Sequence, residues 1–430
     1  MSVTAAIFLT FILLLVIGAP ITLSLGASAM VGMMISGKPM EGLVEIAYTS
    51  VNSFPIMALP AFILSGALME SAGISRRLVA VAEAMAGPFT GGMAASTVLS
   101  CLFFGAISGS GPATTAAVGM LMIPAMVRHG YDRGYAGAIT SSSGGLGVVI
   151  PPSIPMVIYG VAASQSIADL FIAGFIPGVM LAVGLLTMNF IRSKQRNYKG
   201  DGKTLSIRKV NATMKEGFWA LLTPIIILGG IYTGFFTPTE AAIVSIFYTL
   251  FVGIFIYKEL RFKAAMKALE NTTWITGRVL IIMFTALAFG QLLTINKIPD
   301  LIAQGLLSLT GNLYLIWALI IIFLLFMGMF METLATIMLV TPVLLPVMVS
   351  LGVNPIHFGV VLVCCCEIGF ATPPLGENMF IASGVARTSL ENISWNALPF
   401  VFVSVLVVFI VAYVPILTLW LPNLLNSIFG

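Results

Sequence analysis

Residues 105–119 read GAISGSGPATTAAVG, a run of glycine, serine, threonine and proline in a chain otherwise close to saturated with apolar residues. The chain of 430 residues is 59% hydrophobic and 8% charged, against about 25% charged in an ordinary soluble domain. Apolar runs long enough to carry a helix across the hydrocarbon core, about 20 residues, recur from end to end. Residues 225–231 and 315–326 are apolar on every side, which excludes the period-two alternation of a transmembrane barrel. The chain is therefore read as an all-α polytopic membrane protein. In hydrocarbon, helix-breaking residues are tolerated only where the freed backbone groups are buried in protein or line a wet cavity. Residues 92–127 then form a re-entrant hairpin with SGSGP at its tip.

The same elements recur. Residues 123–137, IPAMVRHGYDRGYAG, resemble residues 345–359, LPVMVSLGVNPIHFG, at an offset of 222. That offset carries Gly147 onto Gly369 and Pro151-Pro152 onto Pro373-Pro374. Two halves follow, 1–195 and 216–430, joined by a basic cytoplasmic linker, 196–215. Spans are expected near 3–18, 20–36, 50–72, 131–165 and 168–191, and again near 219–235, 239–257, 272–295, 354–386 and 396–421. The spans at 131–165 and 354–386 are each broken by a double proline, which removes a hydrogen bond and bars the preceding residue from the helical region. Residues 313–349 form the second hairpin. Five spans per half is odd, so the repeats are inverted. Charge agrees, because Lys and Arg collect in cytoplasmic loops. Arg128 and Arg133 flank a loop whose mate, residues 350–355, carries no charge. Both termini are expected on the outer face.

The two tips and two breaks offer hydroxyls, carbonyls and half-helix ends, a donor set suited to a hard monovalent cation, while helix N-termini favour a carboxylate. Small residues also permit close helix packing, the reading that suits residues 116–119. Glu332, Glu367 and Glu377 lie near the expected midplane, where an ionised group is costly and usually functional. The alternative places them at a wet wall or the inner surface. No arginine is expected in the pocket, so an anion would rely on helix ends and bound ions. Cys101, Cys364, Cys365 and Cys366 are expected as reduced thiols. His129 and His357 lack partners at metal-ligand spacing, so no transition metal is expected. With no nucleophile and base at suitable spacing, the chain is not expected to be an enzyme. A channel would need a continuous polar stripe. The basic cluster at 192–215 reads as a topology signal, with no nucleic-acid partner. The amphipathic stretches ISRRLVAVAEAMAG and KIPDLIAQGLLS are expected to lie along the interface as arms.

Four motifs in order, SGSGPATTAAVG (108–119), IPPSIPMVIYG (150–160), METLATIMLVTP (331–342) and ATPPLGENMF (371–380), resemble the large membrane (M) subunit of the tripartite ATP-independent periplasmic (TRAP) transporters over essentially the whole chain. The resemblance implies Na⁺-driven uptake of an organic acid, dicarboxylate or sialic-acid-like, across the bacterial inner membrane. It also implies an elevator mechanism, a small four-span Q subunit and a periplasmic substrate-binding protein, besides the membrane lipid. Because no Q-like segment precedes Met1, Q is expected as a separate chain. Carried over residue by residue, one Na⁺ site lies between Ser108, Gly109, Ser110 and Gly145, Val149. A second lies between Met331, Glu332, Thr333 and Gly369, Thr372. Substrate sits near Pro112, Thr114, Ser153, Pro374, Gly376 and Asn378. At least two Na⁺ per substrate are expected. The rival reading is a stand-alone carboxylate symporter of the divalent-anion type.

Overall fold

A computed structural model describes residues 3–52, 54–200, 206–374 and 376–429. Every regular element among them is helical. Among the described residues, eight helices are long and apolar enough to cross a membrane, and a ninth span results if the pair Arg133–Val149 and Ile154–Ala162, bent by 46°, is taken as one.

The helices fall into two groups. The first is a frame: α1 (Val3–Val16), α2 (Ile21–Ile35), α3 (Glu41–Val51), α4 (Ala58–Ser71), α5 (Ile74–Ala86) and, from the second half, α12 (Ile207–Tyr232), α13 (Pro238–Phe251) and α14 (Phe262–Ile295). Here α14 packs on α2, α3 and α4, α13 packs on α4, and α12 packs on α5 and α13. The second group comprises α6 (Gly92–Ser108), α7 (Gly111–Arg128), α8 (Arg133–Gly144), α9 (Leu146–Val149), α10 (Ile154–Ala162) and α11 (Ile167–Gln195). It is completed by α16 (Leu313–Phe330), α17 (Thr333–Ser350), α18 (Pro355–Phe370), α19 (Glu377–Ala386), α20 (Leu390–Tyr413) and α21 (Ile416–Phe429), with α15 (Ile298–Leu309) leading into it along α17. The groups meet where α5 packs on α6 and α14 packs on α17.

Helix ends follow local chemistry. Thr237 and Glu240 close a capping box ahead of Pro238, satisfying two donors that the first turn leaves unpaired. Asp132 accepts from the Tyr135 amide at 3.0 Å, and Asn354 accepts from Ile356 at 2.8 Å. At the base of α6 and α7, Tyr198 stacks on Tyr131 at 4.2 Å. Nearby, Asn189 joins the Tyr135 hydroxyl (2.8 Å) to the Gly91 carbonyl (3.1 Å). Arg76 and Arg77 pair with Glu259, and Arg77 lies 3.6 Å over the Tyr257 ring, so these basic residues also tie α5 to the end of the α13 span. His357 is held at both ring nitrogens, by Thr418 at 2.8 Å and the Ala412 carbonyl at 3.1 Å. All four cysteines are free and buried.

Several boundaries differ from the sequence reading. The expected linker 196–215 contains the start of α12, because Ser206 caps a helix that runs through the basic residues; residues 201–205 lie outside the described residues. The expected span 396–421 is two helices, α20 and α21, parted at Val414 and Pro415. Residues 50–72 comprise the end of α3, a 3₁₀ turn (Phe54–Met57) and α4, with residue 53 outside the described residues. So is Leu375, within the second broken span. Of the two amphipathic arms, α5 is buried along Ile74, Leu78, Val81 and Ala82 by α6 and α12. In α15 only Ile298 and Pro299 are buried.

Each hairpin crosses its half's broken helix at backbone contact. A Cβ on Gly105 would lie 2.8 Å from the Gly147 amide nitrogen, and one on Gly328 would lie 2.8 Å from the Cys366 carbonyl oxygen. Gly105→Val and Gly328→Val are each expected to cost about 1–3 kcal/mol through overpacking. Gly277→Val is the control, since nothing lies within 4 Å of a Cβ there. Thermal denaturation of the detergent-purified protein checks this; equal midpoints for all three variants would refute the close crossings.

Candidate functional site

The first tip is built from the residue types that stop and restart a helix. Gly109, at φ +63°, ends α6 in the left-handed region, which glycine adopts without steric cost. Ser110 is extended and its hydroxyl accepts from the Ala113 amide at 3.4 Å, starting α7. The Thr114 hydroxyl donates to the Ser110 carbonyl at 2.7 Å and lies 2.9 Å from the Ser108 hydroxyl. The freed Gly109 carbonyl accepts from the Ile154 amide at 3.2 Å. That amide opens α10 beyond Pro151-Pro152, where Ser153 caps the helix through Met156 at 3.3 Å. Tip and break thus supply each other's missing partners.

The second tip has different chemistry. Met331 is extended, and Glu332 precedes α17 without a side-chain cap. The Glu332 carboxylate turns instead to Arg278 of α14, 3.5 Å away. Thr333 donates to Glu367 Oε1 at 2.8 Å. In the second break the Thr372 hydroxyl donates to the Ile368 carbonyl at 2.6 Å and its amide to Gly369 at 2.9 Å.

Glu367 lies where these elements converge. Its residue is 3% exposed, and Oε2 has no hydrogen-bond partner. Oε2 faces Gly111, where a Cβ would come within 2.5 Å. Asn378, 0% exposed, has neither amide atom partnered, and the Thr115, Ser142 and Ser143 hydroxyls are also buried without partners. Buried polar atoms are rarely left so; a cluster of oxygens in this state fits a cation or water. Beside it lies a cavity of about 20 Å³ lined by Ser142, Gly145, Val149, Cys364 and Glu367, room for about one small sphere.

A larger cavity, about 340 Å³, lies between the tips and the frame helices α4 and α14. Of the residues assigned from the sequence, Ser108, Gly109, Ser110, Pro112, Glu332 and Thr333 line it. Gly145 and Val149 line the small cavity. Thr114, in the first tip, and Ser153, at the first break, are buried and bonded locally, Gly369 is pressed against Gly328, and Met331 is half-buried. Thr372 and Pro374 are not among the residues lining either cavity; Gly376 and Asn378 are buried. The expectation of a pocket without arginine is overturned, because Arg278 lines the larger cavity, with Glu70 and Asn271 from the frame. The signal was present: a lone arginine inside a span is functional by default.

Residues 8–417 match the model of the family described as tripartite ATP-independent periplasmic transporter, DctM component. The isethionate TRAP transporter permease protein DctMQ of Oleidesulfovibrio alaskensis is 43% identical over 406 residues, which are 94% of this chain and 64% of that relative's length. The C4-dicarboxylate TRAP transporter large permease protein DctM of Pseudomonas aeruginosa is 38% identical, covering 94% of each chain. The sialic acid TRAP transporter permease protein SiaT of Haemophilus influenzae is 35% identical over 97% of this chain and 68% of its own. The crystal structure of the Alcanivorax borkumensis YdaH transporter shares the fold, with a TM-score of 0.62 at 15% identity, covering 96% of this chain and 98% of that one.

Thr333→Val leaves Glu367 Oε1 unpartnered as well, and is expected to cost about 1–3 kcal/mol. Adding Glu367→Gln is expected to recover part of that loss, a coupling of about 0.5–3 kcal/mol. Thermal midpoints of the two single variants and the double variant in Na⁺-free buffer provide the check; simple additivity would show that the bond carries nothing.

Proposed function

The chain belongs to the DctM family of tripartite ATP-independent periplasmic transporters, multi-pass proteins of the bacterial inner membrane, and on that premise we propose Na⁺-coupled uptake of a small organic acid anion. The observation that carries the reading is the convergence of two hairpin tips and two broken helices on one cavity, with the unpartnered oxygen of Glu367 on its wall and those of Ser142 and Asn378 buried nearby. Na⁺ fits those oxygens. The anion fits the larger cavity, towards which the N-terminus of α7 brings its partial positive charge. A cavity with Glu70, Glu332 and Glu377 on its wall disfavours an anion until cations enter, so ions bind first and uptake follows their gradient.

The relatives' names point to isethionate, C4-dicarboxylates and sialic acid as the substrate range to test. The partners are a small Q membrane subunit and a periplasmic binding protein that delivers substrate. The two helix groups support an elevator, in which α6–α11 with α16–α21 slides against the frame. The cavity reaches Glu70 near the end of α4 and Asn271 in the first half of α14. Arg76, Arg77, Lys263 and Lys267 flank those positions, so by the charge rule it lies towards the cytoplasmic side.

The test is uptake of isethionate, succinate and N-acetylneuraminate into proteoliposomes containing this chain and its small subunit. Uptake of at least one is expected to require both an inward Na⁺ gradient and the binding protein. Undiminished uptake in K⁺ buffer without Na⁺ would refute the coupling. Uptake by this chain alone would replace the tripartite reading with a stand-alone symporter.

A further inference from the structure

Among the described residues the larger cavity has one cationic side chain on its wall, Arg278, and four carboxyl side chains, Glu70, Glu332, Glu367 and Glu377. Arg278 stands on α14 in the frame and Glu332 on the second tip, so their 3.5 Å contact spans the two helix groups. The pair is wet, with side chains 62% and 39% exposed, and exposed pairs of this kind are weak and exchangeable. A guanidinium offers a planar fork that matches a carboxylate or sulfonate. Glu332 also precedes Thr333, which donates to Glu367, and the second oxygen of Glu367 has no partner and would draw a cation.

We propose that Arg278 anchors the substrate's anionic group, that Glu332 occupies this anchor until a cation at the second tip draws its carboxylate away, and that the substrate is a hydroxylated monoanion. This rests on the Na⁺-coupled reading above and adds the order of events. Cation binding unmasks the guanidinium, and the anion replaces Glu332 on it. A second carboxylate on the substrate would find no second cationic side chain among the described residues of this wall and would face Glu70 or Glu377. Neutral hydroxyls fit instead, since Ser108, Asn271 and Thr272 line the same cavity and hydrogen-bond without charge.

The experiment measures binding of isethionate, gluconate and succinate to the purified protein in Na⁺ and in K⁺ buffer, for wild type, Arg278→Gln, Arg278→Lys and Glu332→Gln. In Na⁺, wild type is expected to bind at least one of the monoanions at least tenfold more tightly than succinate. Arg278→Gln is expected to lose at least tenfold for that monoanion and Arg278→Lys to lose less, while Na⁺ alone still raises both thermal midpoints, which shows a folded protein with intact ion sites. Glu332→Gln is expected to bind the monoanion nearly as well in K⁺ as in Na⁺, because the anchor is no longer masked. Succinate binding as tightly as the monoanions, no monoanion binding in Na⁺, full affinity in Arg278→Gln, or an unchanged Na⁺ requirement in Glu332→Gln would each overturn the proposal. If Na⁺ changed neither the stability nor the anion binding of wild type, the failure would lie in the Na⁺-coupled reading itself.

Discussion

The structure depends on one constraint: backbone N–H and C=O groups freed inside hydrocarbon must find partners there. Four interruptions at membrane depth are survivable only if they face one another. The Gly109 carbonyl finds the Ile154 amide across the gap between tip and break, which neither the hairpin nor the broken helix could arrange alone. Such closeness requires glycine at the crossings, so Gly105 lies against Gly147 and Gly328 against Gly369. The polar centre of an apolar protein therefore follows from the packing that the breaks demand.

Glu367 ties that centre together. One oxygen receives the Thr333 hydroxyl, the other points at Gly111, and its stem packs on Gly145. A single carboxylate from the second broken helix thus touches both tips and the first broken helix. Under the proposed sliding these parts travel as one body, and the contacts that must change are those with the frame, including Arg278 with Glu332.

Much of this was legible because the relevant residues contradict their surroundings. SGSGP and the two double prolines stand out against apolar helix, and hydropathy places most spans within a few residues. The separation of α20 from α21 was hidden because Pro415 sits in a run that stays apolar throughout, so hydropathy registers no interruption. Arg278 was passed over for the opposite reason: it lies in WITGRVLIIMF, where the apolar neighbours carry the span and mask the one residue that is expensive there. The different fates of α5 and α15 were not readable at all. Both are amphipathic, and only the positions of α6 and α12 in space decide that one is covered.

Positions matched by the sequence offset of 222 carry different side chains at the site. Glu367 is the mate of Gly145, and Gly111 is the mate of Thr333. Each residue of the first pair touches its own mate, and both residues of the second pair reach Glu367, so these positions lie where the two halves meet. At such a meeting point two mates compete for the same space, and only one can carry a large side chain. Glu367 fills it, and a Cβ on Gly145 would meet the Glu367 Cβ at 3.3 Å, a tight contact. Ser110 and Glu332 are likewise mates, one a neutral cap and the other an acid free to pair with Arg278. Steric exclusion where tips and breaks meet, and a charge placed at only one tip, make the two tips chemically distinct.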